Sequence, residues 1–324
     1  MKFIFKGYTL FILLVILTIV SLFIGVSQLS LIDIFHLSDE QMNILFSSRI
    51  PRTVSILLSG SSLALTGLIM QQMMQNKFVS PTTAGTMEWA KLGILLSLLF
   101  FPNGHILIKL LFAVVLSIVG TFLFVQLINL IRVKDVIFVP LLGIMIGGIL
   151  SSFTTFVALR TNALQSIGNW LTGNFAVITS GRFEVLYLTI PLLILAFVFA
   201  NHFTIAGMGK DFSHNLGVSY EKIIKIALFI TATLTALVVV TVGTLPFLGL
   251  IVPNIISIYR GDHLKNALPH TLMLGAIFVL IADIIGRIIV YPYEINLGLT
   301  IGVFGTIIFL ILLMKGRKNY ANER

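Results

Sequence analysis

The chain alternates long apolar runs with short polar stretches from one end to the other. A helix rises about 1.5 Å per residue, so about 20 apolar residues cross a hydrocarbon core of about 30 Å. Most of the runs approach or exceed that length. The pattern predicts ten membrane-spanning helices, at residues 8–26, 53–74, 83–102, 105–129, 137–159, 184–203, 224–243, 245–259, 269–290 and 298–314.

The composition agrees with this pattern. Hydrophobic residues make up 57% of the 324 residues and charged residues only 10%, against about 25% charged in an ordinary soluble domain. So few charged side chains cannot cover the exterior of a soluble fold, which excludes that class. We predict an all-α polytopic membrane protein with a single transmembrane domain over residues 1–324. Cysteine is absent, so disulfides and thiolate chemistry are excluded.

The basic residues are distributed unevenly between alternate loops. There are 21 Lys and Arg against 12 Asp and Glu, a formal charge of +9. Most of the basic residues fall on the side of the N-terminus, in the loops after the second, fourth, sixth and eighth runs and in the C-terminal tail. By the positive-inside rule this side is cytoplasmic. The sequence therefore predicts a multi-pass membrane protein with both termini in the cytoplasm.

No motif for catalysis or cofactor binding is present. The chain lacks a G-x-x-x-x-G-K-[ST] phosphate loop, an H-E-x-x-H zinc site and a G-x-S-x-G nucleophile, and its histidines are isolated. We expect no catalytic residue and no metal or cofactor on this chain. Two alternatives come from other classes. The lack of a chain of carboxylates through successive runs disfavours an ion-coupled secondary carrier, and the missing catalytic motifs disfavour an intramembrane enzyme.

Two charge pairs lie inside predicted spans. Asp283 and Arg287 are four residues apart, and Glu88 and Lys91 are three apart, so each pair shares a helix face and can neutralise itself. Charges in the membrane are costly and often functional. For Asp283 and Arg287 a structural pair and a functional one remain equal alternatives.

Small residues recur at helical spacing in three of the runs. Such residues let helices approach closely, and the alternative is that some of them line a solute pathway. The main glycines are Gly60, Gly67, Gly143, Gly147, Gly148, Gly298, Gly302 and Gly305.

The inner loop at about 204–223 contains a predicted short amphipathic helix. Phe212 and Leu216 are four apart and form an apolar face, and Gly217 can end the helix in the left-handed conformation. Ser219 can begin the next helix. A helix this short needs outside contacts, so we expect a cytoplasmic partner protein.

On the outer side, Arg49 and Arg52 stand three apart just before the second run, against the charge bias. Arginine binds carboxylates and phosphates through two parallel hydrogen bonds. Two roles are equally open for this pair. One is docking of an acidic protein surface or an anionic solute, and the other is anchoring to lipid phosphates.

Several segments together resemble the FecCD-like family, the permease subunits of ATP-binding-cassette (ABC) importers for iron–siderophore complexes, haem and cobalamin. The match spans nearly the whole chain in the family's order. Its parts are residues 49–52, 58–67 with Gln71, 216–218, 247–255, 261–263, 268–269, 275–276, 282–287 and 294–298.

The resemblance implies the fold of a type II ABC importer permease, a location in the bacterial plasma membrane and a set of partners. These are a second, distinct permease subunit, two cytoplasmic ATPase subunits that bind ATP and Mg²⁺, an extracellular solute-binding protein, a ferric siderophore as cargo and membrane lipid, with no nucleic acid. By position, the residues that would dock the solute-binding protein are Arg49, Arg52 and Arg287. The residues that would contact the ATPase are Asp211, Phe212, Ser213, Leu216, Gly217 and Val218.

The chain departs from the family pattern in three places. Residues 75–81 read Gln-Asn-Lys-Phe-Val-Ser-Pro, Asn254 replaces the usual histidine, and residues 294–298 lack the usual proline. The first variant resembles a subgroup that imports catecholate-type ferric siderophores. Haem and cobalamin are the alternative cargoes.

Overall fold

The computed structural model describes residues 5–25, 38–131, 137–261 and 263–322. Every regular element within these ranges is helical. The helices are α1 Gly7–Phe23, α2 Asp39–Ile44, α3 Ile50–Met73, α4 Thr86–Phe100, α5 Ile106–Ile131, α6 Phe138–Arg160, α7 Leu164–Leu171, α8 Thr189–Val198, α9 Ala200–Ala206, α10 Lys210–Asn215, α11 Tyr220–Val242, α12 Leu248–Arg260, α13 Leu264–Ile288 and α14 Leu297–Asn322. A π-helical turn, Leu45–Arg49, joins α2 to α3, and a 3₁₀ turn, Phe183–Leu188, precedes α8.

The predicted all-helical, polytopic fold is confirmed. Each of the ten predicted runs coincides with a helix, or with the broken pair α8 and α9. Among the described residues, five helices are long and apolar enough to cross a membrane, and a sixth span is added if the pair bent by 59° is counted as one. Three shorter apolar segments are helix Gly7–Phe23, helix Leu248–Arg260 and the Leu297–Leu312 part of α14.

The second span begins earlier than the apolar pattern predicts. Helix α2, the π turn and α3 form one continuous stretch, Asp39–Met73. Ser38 starts it with a capping box, since its hydroxyl accepts from the Gln41 amide and the Gln41 side chain accepts from the Ser38 amide. Arg49 and Arg52 therefore lie inside a helix rather than in the loop before one.

Helices α3 and α11 form the centre of the bundle, and α3 packs against α13, α11 and α12. Small residues allow these contacts. A Cβ at Gly60 would lie 2.7 Å from the Gly275 carbonyl oxygen, and one at Gly67 would overlap the backbone of Gly249. The predicted close helix contact at these glycines is confirmed.

Helix α6 lies at the periphery of the chain. Only 22% of its most apolar 18-residue stretch is buried, against 78% of the corresponding stretches of α11 and of Asp39–Met73. Gly143 meets the backbone at Thr83, whereas a Cβ at Gly148 would meet nothing within 4 Å. One face of α6 is thus packed and the other is open to lipid or to another subunit.

Candidate functional site

Arg52 joins three elements at one end of the bundle. Its guanidinium donates to Asp283 Oδ1 on α13 from Nη2 at 2.8 Å and from Nε at 3.1 Å. Nη1 forms an ion pair with Glu294 Oε2 at 2.7 Å, in the segment before α14. Arg52 on α3 thus bridges α13 and the approach to α14.

Asp283 and Arg287 form the second part of this network. The Arg287 guanidinium contacts the other Asp283 carboxylate oxygen, so the predicted pair exists. Arg287 also donates to the carbonyls of Ser21 at 2.9 Å and Ile24 at 2.7 Å, and to the Ser21 hydroxyl at 2.6 Å. These contacts satisfy carbonyls at the C-terminal end of α1, where a positive charge is favourable.

Arg49 reaches the same helix end. It is 7% exposed, and its Nη1 donates to the Ile24 carbonyl. The three arginines, which come from two separate motifs, therefore meet in one place. Arg287 is 4% exposed, whereas the Arg52 and Glu294 side chains are 12% and 25% exposed, so the accessible edge is the Arg52–Glu294 pair.

The sequence did not indicate that Arg52 has carboxylate partners within its own chain. Asp283 lies 231 residues away along the sequence. Both acidic residues stand at positions of the family pattern, which is the one available signal, but that pattern carries no information on pairing. The docking role of the three arginines stays a prediction.

The second predicted pair is also present. Lys91 Nζ lies 2.6 Å from Glu88 Oε1 on α4, and both side chains are 21% exposed. Glu88 faces α6, since a Cβ at Gly147 would lie 3.5 Å from Glu88 Cγ. Mutual neutralisation explains how these charges are accommodated in a helix of a membrane bundle.

A further basic group surrounds Trp170 on α7, and sequence reasoning missed it. Arg182 Cζ lies 4.1 Å from the centre of the Trp170 ring, and Lys109 Nζ lies 5.5 Å from it. Burial lowers the pKa of the Arg182 guanidinium from its ordinary value because burial disfavours the charged form. The three residues come from distant elements, so no local spacing signals the cluster.

At the other end of the bundle, the predicted short helix is α10. Gly217 has φ +71°, and its amide donates to His214 O at 3.0 Å while the Val218 amide donates to Ser213 O at 2.9 Å. These two bonds form a Schellman motif, which ends a helix at a left-handed residue. The predicted helix end at Gly217 is confirmed.

The side chains of α10 divide into two groups. Phe212 is 46% exposed and Leu216 54% exposed, and Asp211 is exposed as well. Ser213 is buried, and its hydroxyl donates to Gly209 O at 2.8 Å. Val218 packs against a cluster of buried apolar residues that includes Phe203 and Ile223. The predicted coupling residues thus include an exposed apolar face, Phe212 with Leu216. They also include Ser213 and Val218, which hold this face against the bundle.

One contact connects this region to the central helix. Gln75, just beyond the end of α3, donates from Nε2 to the Gly207 carbonyl at 2.9 Å. A cleft of 430 Å³ adjoins this contact, and its lining includes Gln71, Thr204 and His263. The segment before α10 is therefore bonded to the region that follows α3.

Residues 13–315 match the model of the FecCD transport family. The chain belongs to this family. The FecCD chain is 54% identical over 312 residues to the petrobactin import system permease protein YclN of Bacillus subtilis, covering 96% of this chain and 98% of that protein. It is 37% identical to the ferric-anguibactin transport system permease protein FatD of Vibrio anguillarum, covering 92% and 95%.

A solved structure of a metal-chelate type ABC transporter in an inward-facing conformation shares the fold. The TM-score is 0.79 at 24% sequence identity, over 95% of the FecCD chain and 98% of the solved one. The predicted family is confirmed. The chain is a multi-pass membrane protein of a transport family.

Proposed function

We propose that this chain is the membrane-spanning permease subunit of an ABC importer that carries a ferric siderophore complex across the bacterial plasma membrane. The observation that carries the proposal is the 54% identity, over nearly the full length of both chains, to a petrobactin import permease. The absence of a phosphate-loop motif from the sequence supports placing ATP hydrolysis on partner subunits.

In this proposal α10 is the contact with the ATPase, which binds ATP and Mg²⁺. The exposed Phe212 and Leu216 suit an apolar cleft on that partner. Movement of α10 reaches the centre of the bundle through the bond from Gln75 to Gly207 and through α11, which begins at Tyr220. The chain itself contributes no chemical step, and both of its termini lie in the cytoplasm.

The arginine network is the proposed docking surface for the solute-binding protein. Its accessible edge, Arg52 with Glu294, offers a guanidinium to acidic groups on that partner. Arg287 shares Asp283 with Arg52, and Arg49 and Arg287 both hold the end of α1 in place. The second permease subunit, proposed to be distinct, packs against exposed faces such as that of α6.

We propose a catecholate-type siderophore as cargo. The relatives named for petrobactin and ferric-anguibactin transport support a siderophore, and the variant at 75–81 supports the catecholate subgroup by resemblance. Haem and cobalamin are the alternative cargoes to examine if the uptake test excludes a catecholate.

The test is uptake of radiolabelled ferric catecholate siderophore in cells that lack this chain. Complemented cells and cells with an inactive partner ATPase are the matched comparisons. We expect uptake to be lost without the chain and without ATP hydrolysis, and restored by complementation. Uptake that persists with the inactive ATPase would instead indicate a secondary carrier, and normal uptake without the chain would exclude this cargo.

A further inference from the structure

Lys109, Trp170 and Arg182, named here the tryptophan cluster, lie together although they come from three elements. Lys109 is in the first turn of α5, Trp170 near the end of α7 and Arg182 just before the 3₁₀ turn. Both cations lie within 5.5 Å of the centre of one indole ring. Cation–π contacts at this range are attractive.

The cluster holds two positive charges, and no acidic side chain of the described residues balances them. Within the described residues neither Lys109 nor Arg182 forms an ion pair, in contrast to Arg52, which has two. Lys109 is 9% exposed and donates to the Gly104 carbonyl at 2.8 Å. Arg182 Nε is buried and has no acceptor in the described part of the chain. Burial of an uncompensated charge is costly, so this arrangement favours an anion.

The cluster lies at the outer end of the bundle in the proposed orientation. The Leu171 carbonyl accepts from the amide and hydroxyl of Thr244, which follows α11. The Gly298 amide at the start of α14 donates to Gly173 O at 3.3 Å. Since α11 begins beside α10 and ends beside α7, the tryptophan cluster and the ATPase contact stand at opposite ends of the bundle.

We propose that the tryptophan cluster is a binding site for an oxyanion group of the cargo, a negatively charged aromatic iron chelate, at the outer end of the permease. Lys109 and Arg182 contact carboxylate or catecholate oxygens, and the indole edge packs against the aromatic rings. The identity of the cargo rests on the proposed function. A phosphate headgroup offers the same oxyanion chemistry, so lipid forms a separate arm of the test.

The experiment uses the fact that the chain has two tryptophans. The full-length chain carrying Trp89→Phe is placed in phosphatidylcholine nanodiscs, which leaves Trp170 as the fluorescent reporter. The probe is the ferric tris-complex of 2,3-dihydroxybenzoate. We expect saturable quenching of Trp170, with little quenching of Trp89 in the reciprocal Trp170→Phe chain, which corrects for absorption by the probe.

Charge removal tests the two cations. Arg182→Gln or Lys109→Gln should weaken binding of the probe by about tenfold or more, because each removes a charge-assisted contact. Arg182→Lys, which keeps the charge, should retain part of the affinity. The control is Arg160→Gln. Arg160 is exposed and lies outside the cluster, with its Cζ 5.6 Å from the centre of the Phe156 ring.

Two results would overturn the site. One is quenching that is unchanged by both glutamine variants, provided that the variants elute as the parent chain does. The other is a change in Trp170 fluorescence in phosphatidylglycerol nanodiscs that added iron chelate does not reverse. That result would assign the bound oxyanion to lipid. Neither result alters the uptake test, so failure of the site and failure of the proposed function are distinguishable.

Discussion

The arginine network and helix α10 lie at opposite ends of the bundle and are stabilised in opposite ways. The network buries charged groups and pairs them, with Arg52, Asp283 and Arg287 linked in series. Helix α10 exposes apolar groups, Phe212 and Leu216, and is held by backbone bonds at its two ends.

This difference agrees with the proposal that the α10 end depends on a partner. Most of the buried part of the network is paired within the chain, because Asp283 and the carbonyls of α1 accept from Arg52 and Arg287; Arg287 Nε is buried without an acceptor among the described residues. Helix α10 has six residues, and helices shorter than about 12 residues are marginal on their own in water. Its apolar face, Phe212 and Leu216, is about half exposed in the described part of the chain, and the proposed ATPase contact would cover it.

The largest effect is expected from Asp283→Asn. The substitution leaves Arg52 and Arg287 buried with a neutral amide between them, and breaking a buried pair costs about 3–5 kcal/mol. We expect a matching fall in the free energy of unfolding, measured by denaturant titration in detergent. Asp39→Asn is the control, since Asp39 is exposed at the start of α2. Equal stability of the two variants would show that the network does not stabilise the bundle.

At the opposite end, Gly217→Val should strain the Schellman motif. Gly217 has φ +71°, where a β-branched residue costs about 1–3 kcal/mol. We expect normal insertion but reduced cargo uptake and reduced stimulation of ATP hydrolysis in the assembled importer. Gly217→Asn is the matched variant, because asparagine tolerates the left-handed conformation. If valine and asparagine behave alike, the helix end does not matter for coupling.

These two regions also mark what the sequence could predict. The end of α10 was predictable because a left-handed glycine after a short helix is a local signal. The ten runs were predictable because lipid requires continuous apolar sequence. Both properties are read within about 25 residues of chain.

Pairing between distant segments could not be predicted in the same way. The contact of Arg52 with Asp283 joins residues 231 apart, and the tryptophan cluster joins three elements. The start of the second span was missed because polar residues cover its first turns, although Ser38 and Gln41 form a recognisable capping box. Three-dimensional packing decides these features, and hydropathy does not record it.

A charge on the exposed face of α10 should separate assembly from folding. Phe212→Asp and Leu216→Asp alter exposed positions, so the free energy of unfolding should change by less than about 0.5 kcal/mol. Co-purification of the ATPase should fall by about tenfold or more, because an apolar contact becomes a buried charge. His214→Asp is the control, since it places the same charge on the other side of the same helix. Loss of the ATPase in the control as well would assign the effect to charge alone.

The smallest effect on partner binding is expected from Glu294→Gln. Glu294 is the most accessible member of the network, at 25% exposure of its side chain, and such pairs contribute less than about 1 kcal/mol. The substitution leaves Arg52 bound to Asp283 and removes the carboxylate that competes with an incoming acidic group. We therefore expect the solute-binding protein to bind more tightly at low salt, by less than about tenfold. The gain should disappear at high salt, because screening weakens exposed charge pairs. Weaker binding at low salt would mean that Glu294 itself contacts the partner, and unchanged binding would move the docking surface away from Arg52.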